Sequence, residues 1–386
     1  MADFREKEQG GAARSLRTCW LTPQREEDPM EPDARIRTLL GVELPILQAP
    51  MAGAQDSALA IAVCEAGGLG ALPCAMLSPD QIRAEVAAIR AATARPFNLN
   101  FFCHAKPAPD PEREAAWRER LAPYYRETGA DMASIAAATR APFDETFCAL
   151  VEELQPPVVS FHFGLPAPRF VARVKAAGAK VLSSATTVAE ARWLAEHGCH
   201  AIIAQGAEAG GHRGMFLTQD VAAQVGTMAL VPQVVDAVRL PVIASGGLAD
   251  ARGIVASLAL GAGAVQIGTA YLLTPEATIG ATWRQALAET RDDASVLTNV
   301  FTGRPARGMR NRLIDDLGPL SAEAPAFPLA SAAVAPLRAK TEPRGDGAFT
   351  SLWSGQAARL ARAEPAFDMT RRLAAEADAL RARLAG

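Results

Sequence analysis

VIASGGLADARGIVASLALGAGAVQIGT, residues 242–269, is the stretch on which the fold turns. Two short apolar runs, Val242–Ser245 and Ala264–Gly268, each end in small or polar residues. Between them Asp250–Leu260 has helical composition, with Gly261 placed as its stop. Short β-branched runs separated by a helix describe a parallel strand–helix–strand unit whose sheet is covered on its faces. Ser245-Gly246-Gly247 and Gly268-Thr269 then fall at the C-terminal ends of two neighbouring strands.

The same beat runs back to Pro45. Eight strands are predicted, β1 to β8: Ile46–Ala49, Leu69–Pro73, Phe97–Phe102, Val158–Phe163, Lys180–Ser184, Ala201–Gln205, Val242–Ser245 and Ala264–Gly268. Helices are predicted over Ser57–Glu65, Pro79–Ala91, Pro168–Ala177, Val188–Glu196, Pro232–Val238 and Asp250–Leu260. Eight such units define an α/β protein, a TIM (β/α)8 barrel over residues 34–295. A doubly wound open sheet would want a GxGxxG loop after its first strand. Here β1 runs into Ala49-Pro50-Met51-Ala52-Gly53, which is a different pattern.

Two regions break the beat. Residues 102–157 make an enlarged connection between β3 and the third barrel helix, expected as a wall or partial lid over the barrel mouth. Residues 296–386 form a C-terminal extension packing on the barrel and ending in a helix. Leu373, Ala377, Leu380 and Leu384 give that helix an apolar stripe, facing the barrel's side or a partner subunit, so a homodimer is a candidate assembly. Residues 1–33 read as a flexible leader or an over-called start, with Met30 just ahead of the first ordered pattern.

Composition excludes several classes. Lys plus Arg number 39 against 42 Asp plus Glu, which gives no electrostatic case for nucleic acid or an acidic membrane. Apolar runs such as Ala256 to Val265 are too short for a span, and the N-terminus lacks a signal-type apolar core. A cytoplasmic location is the expectation. The six cysteines are scattered without a CxxC pair, so free buried thiols and no metal site are expected.

Polar residues that serve no packing purpose collect at the strand ends. Ser245, Gly246 and Gly247 after β7, with Gln266, Gly268 and Thr269 on β8, offer backbone N–H groups suited to a phosphate. The β6 end, Ala204-Gln205-Gly206-Ala207-Glu208-Ala209-Gly210-Gly211-His212-Arg213-Gly214, is too polar and glycine-rich to be packing. Gln205 offers a neutral donor and acceptor, and His212 is the candidate acid or base. Asn98 and Asn100 share one face of β3, with Asn100 nearer the mouth. His162 shares a face with Ser160 and is a candidate for the substrate pocket. His197 and His200 read as structural.

These segments together resemble the nitronate monooxygenase family, formerly the 2-nitropropane dioxygenases. The likeness is carried by LPILQAPMAG (44–53), AGGLGAL (66–72), FNLNFF (97–102), VVSFHFGLP (158–166), AQGAEAGGHRG (204–214), ASGGLAD (244–250) and LALGAGAVQIGTAYLLTPE (258–276). GRPARGMRN (303–311) and SLWSGQ (351–356) extend it. The EAGGHRG and SFHFG pair is most similar to the bacterial class I enzymes.

The resemblance implies an FMN-dependent flavoprotein that oxidises alkyl nitronates, propionate 3-nitronate among them, with O2 to a carbonyl compound and nitrite. It implies His212 as the catalytic histidine. It implies FMN contacts from Ala49, Pro50, Met51, Asn100, Gln205, Gly210 and Gly211 around the ring and ribityl chain. Ser245, Gly246, Gly247, Gln266, Gly268 and Thr269 would take the phosphate end. The family's aromatic contacts are not matched by tyrosines, since Tyr271 is the only one after Tyr125. Three alternatives stay open: an NAD(P)H-dependent FMN reductase of quinone or enoyl type, a non-catalytic flavin-binding protein, and a phosphate-handling barrel enzyme without flavin.

Overall fold

Each barrel strand divides its residues between two environments, and that division builds the site. The structure, a computed structural model, describes residues 34–136 and 140–386; the expectation for residues 1–33 lies outside the described residues. The strands are Ile46–Gln48, Gly70–Pro73, Phe97–Phe102, Val158–His162, Lys180–Ala185, Ala201–Gln205, Val242–Ser245 and Ala264–Ile267, again β1 to β8. They are hydrogen-bonded in parallel in the order β1-β8-β7-β6-β5-β4-β3-β2, and a Leu47–Leu69 bridge joins β1 to β2. The sheet therefore closes, as the sequence leads one to expect.

Alternate residues face outward into the layer between strands and helices: Phe97, Leu99 and Phe101 on β3, Val159 and Phe161 on β4, Ile202 and Ala204 on β6. The intervening residues face inward. At the N-terminal half these are apolar, Leu47, Leu69, Val158, Leu182, Ile203 and Ile243, packed with Ile36 and Leu40 of the helix Ala34–Leu40. Towards the C-terminal ends they turn polar: Asn100, Ser160, His162, Ser184, Gln205, Ser245 and Gln266. One period-two pattern thus supplies both the core and the floor of a cleft.

Local signals explain the helix limits. Ser78 and Gln81 form a reciprocal capping box at the start of Pro79–Ala92. Asp250 accepts from the N–H groups of Arg252 and Gly253 at the start of Ala251–Ala259. Gly178 and Gly261 end helices at φ of 92° and 91°, a conformation side chains resist. One helix starts earlier than predicted: it spans Thr227–Ala237, with Pro232 inside it rather than at its start. The Glu208 carboxylate, bonded to the N–H of Thr227, anchors the extra turn.

The enlarged connection differs from a simple lid. Its helix Pro111–Thr128 turns Trp117, Leu121, Tyr124 and Tyr125 onto Val334, Leu337 and Phe349 of the C-terminal extension, making a second core. That stripe, spaced at four, three and one, is satisfied there. The final helix, Ala366–Leu384, packs on the barrel helices Ala251–Ala259 and Ser57–Glu65 through Met369, Leu373 and Ala377. Tyr271 is wholly buried and bonds Thr370 Oγ1 at 2.7 Å, so it is a strut between barrel and extension. Among the described residues, no helix is long and apolar enough to cross a membrane.

Candidate active site

The C-terminal ends of the strands surround an open cleft. Every predicted site residue lies on its wall: Ala49, Pro50, Met51, Asn100, Gln205, Gly210, Gly211, Ser245, Gly246, Gly247, Gln266, Gly268 and Thr269, with His162 and His212. The remaining lining includes Phe102, Arg140, Leu272, Trp283, Trp353 and Gly355. No carboxylate lines the cleft among the described residues, and none of their acidic, His and Cys groups cluster as a metal site.

On the β7–β8 side the wall is bare backbone. Among the described residues the N–H groups of Gly246, Gly247 and Leu248 meet no protein acceptor. Gly246 and Gly247 hold φ of 115° and 69°. A Cβ on Gly246 would come within 2.9 Å of Thr227 Oγ1 and 3.1 Å of Ala209 N. Three unpaired N–H donors beside a space free of carboxylates among the described residues make a donor set that suits an anion such as a phosphate. The neutral amides of Asn100, Gln205 and Gln266 line the same cleft as this cradle and His212. A flat cofactor with polar edges and a phosphate tail fits such a donor set.

Asn98 and Asn100 both direct Nδ2 at Ser160 Oγ, at 2.8 and 2.9 Å. The Oδ1 of Asn98 is buried without a partner, whereas Asn100 reaches the cleft. Gln205 is engaged at both ends by the following loop: its Nε2 donates to His212 O at 3.1 Å and its Oε1 accepts from Gly214 N at 2.7 Å. One N–H and one lone pair remain for a ligand.

His162 is tied down more than sequence reasoning expects. Its Nε2 lies 3.1 Å from the His212 carbonyl, which can only accept, so Nε2 carries the proton. Nδ1 then accepts from Ser184 Oγ, 3.1 Å away. Burial pushes its pKa down to about 3, partly offset by the bond to the His212 carbonyl. His162 lines the cleft and also fixes the backbone of His212. His200 Nδ1 accepts from Val181 N and His197 stacks on Trp193, structural roles for both.

The C-terminal extension completes the site, a contribution periodicity could not reveal. Gly211–His212 forms a short strand paired antiparallel with Ala306–Met309, which pairs in turn with Ser295–Thr298. His212 sits opposite Ala306, and its Nε2 is 3.0 Å from Thr302 Oγ1. The Trp353 and Phe327 rings stand 5.4 and 5.2 Å from the imidazole. The backbone of Gly355 donates to Thr269 Oγ1 at 2.9 Å. GRPARGM and SLWSGQ are visible as motifs; that they fold back onto the β6 loop is not. The aromatic wall is supplied by tryptophan and phenylalanine.

Two buried charges brace the β6 loop from below. The wholly buried Arg213 donates to Gln224 Oε1 and to the Gln205 carbonyl. Glu190, equally buried, takes the N–H groups of Thr186, Phe216 and Leu217. Burial, and then the positive charge of Arg140, hold the His212 imidazole well below its usual range. His212 is therefore neutral at physiological pH.

A closed barrel with an uncharged polar cleft, a bare N–H cradle and a neutral histidine is the architecture of a cofactor-dependent barrel enzyme. Comparison with known proteins narrows the class. The nitronate monooxygenase family model matches residues 34–376. The nitronate monooxygenase of Pseudomonas aeruginosa is 41% identical over 345 residues, covering 89% of this chain and 98% of that one. The structure of a nitroalkane oxidase from Streptomyces ansochromogenes superposes with a TM-score of 0.83 at 38% identity, over 90% of this chain and 99% of that one. FabK from Thermotoga maritima gives a TM-score of 0.69 at 29% identity, over 91% and 98%.

The chain belongs to the nitronate monooxygenase family, of the bacterial class I type, a flavin-binding family of oxidoreductases.

Proposed function

We propose that the cleft holds FMN and that the protein oxidises alkyl nitronates, propionate 3-nitronate among them, with O2 to a carbonyl compound and nitrite. The observation that carries this reading is the pairing of a neutral, half-buried His212 with a phosphate-type N–H cradle across one carboxylate-free cleft. Gly246, Gly247 and Leu248 would receive the phosphate, with Gly268 and Thr269 beside them. Asn100, Gln205 and Gln266 would meet the polar edges of the ring, and Ala49, Pro50, Met51, Gly210 and Gly211 its faces and ribityl chain. When bound, FMN supplies the electron transfer between substrate and O2.

A neutral imidazole cannot act as a fixed cation for the nitro group. It can accept the α-proton of a nitroalkane, or hydrogen-bond a nitronate that has already lost it. His162 and Gln205 hold the His212 carbonyl, and Thr302 holds its ring, so the base is fixed from three sides. Phe102, Phe327 and Trp353 exclude water around it.

Anaerobic mixing of the FMN-bound protein with propionate 3-nitronate tests the proposal. A change in the flavin absorption band with the nitronate alone, followed by nitrite once air enters, is expected. Bleaching by NADH or NADPH with indifference to the nitronate would instead favour a reductase, the reading that the likeness to FabK keeps in view.

A further inference from the structure

Arg140 is the single charged side chain lining the cleft among the described residues. Several other arginines find acids, Arg83 with Glu153, Arg173 with Glu152 and Arg312 with Glu127, while Arg213 and Arg304 donate to carbonyl oxygens. Among the described residues Arg140 has no such partner. Its Nη2 faces the thioether of Met76 at 3.8 Å, and its guanidinium carbon lies 5.9 Å from the Phe327 ring centroid. A half-buried guanidinium against a sulfur and a ring has given up water without regaining strong acceptors. Such a group is completed by an anion, and its planar fork matches a carboxylate.

Two anions of the proposed chemistry are placed elsewhere. The phosphate cradle follows β7, whereas Met76, which faces Arg140, follows β2, and Arg140 itself lies on the connection that leaves β3; in the barrel order β3 and β7 are opposite. The nitronate group belongs at His212. No hydrogen bond joins Arg140 to His212; the Phe327 ring, 5.2 Å from the imidazole, is the neighbour of both. The guanidinium is thus set beside the reacting centre rather than on it.

We propose that Arg140 is a specificity-determining residue that pairs with a carboxylate carried on the alkyl chain of the nitronate, away from the reacting carbon. The inference rests on the nitronate reading above and assigns to Arg140 the contact with the carboxylate of a substrate such as propionate 3-nitronate. Arg140 would bind that carboxylate through two parallel N–H donors, with no proton or electron transferred.

The test compares the FMN-bound wild type with Arg140→Met and Arg140→Lys on propionate 3-nitronate and on propyl 1-nitronate. Arg140→Met is expected to raise KM for the carboxylated substrate at least tenfold, and to lower kcat/KM for it at least tenfold more than for the plain one. Arg140→Lys should recover part of the loss. Equal losses on both substrates, or no loss on either, overturn the proposal. Equilibrium binding of 3-nitropropionate, read from the flavin spectrum, is the second readout. Should the wild type turn over no nitronate, the functional reading falls, yet Arg140 is still judged: a tenfold weaker Kd in Arg140→Met supports the carboxylate contact, and an unchanged Kd removes it.

Discussion

His212 Nε2 lies 3.0 Å from Thr302 Oγ1, a contact between residues 90 positions apart in the chain. The Thr302 hydroxyl is also within 3.4 Å of the Arg304 carbonyl, to which it can only donate. The ring nitrogen then donates to the hydroxyl oxygen, leaving Nδ1 with its lone pair and no protein partner among the described residues. The extension thus selects the tautomer of a histidine on the barrel.

Thr302→Val should lower kcat/KM for a neutral nitroalkane about tenfold or more, because the base loses its fixed orientation. Thr302→Ser should stay near wild type. Initial rates at matched FMN content decide this, and an undiminished rate in Thr302→Val would remove the hydroxyl from the account.

The buried histidines give acid sensitivity a direction. The folded pKa of His162 is about 3, below its unfolded value near 6.5, so the unfolded chain binds more protons between those limits. Its contribution is fully present above about pH 6.5 and is lost as pH falls towards 3. His162→Asn should flatten the dependence of unfolding free energy on pH in this window by up to ~1.4 kcal/mol per pH unit. Urea titrations at pH 7, 6 and 5 measure it, and parallel slopes in the two proteins would contradict a neutral His162. For the same reason, nitroalkane turnover should not titrate with an ordinary imidazole between pH 8 and 6, since His212 is held well below that range.

Gly246→Ala should weaken FMN binding about tenfold or more. The backbone holds φ of 115°, and the new methyl meets Thr227 Oγ1 at 2.9 Å. Such strain costs ~1–3 kcal/mol and shifts the cradle. Flavin fluorescence quenching gives the Kd; an unaltered value would mean the phosphate sits elsewhere.

Leu373→Ala tests the docking of the last helix. Leu373 is fully buried against the barrel helices. Truncation there should cost ~2–5 kcal/mol of unfolding free energy. A loss below about 1 kcal/mol would show that the helix adds little to the folded barrel.

The sequence by itself determined the barrel and the floor of the cleft, because both follow from short-range rules. Period-two alternation marks the strands; caps such as Ser78 and Asp250 mark helix starts. The same alternation carries Asn100, His162, Gln205 and Gln266 inward at the strand ends, so their meeting is implied by closure alone. Tertiary structure decided the roof. Thr302, Trp353 and Arg140 come from irregular segments with no period linking them to β6, and the pairing of Ala306 with His212, with the Gly355–Thr269 bond, brings the extension over the mouth. It also decided the protonation of His212, since burial and the neighbouring Arg140 charge exist only once these distant segments have assembled.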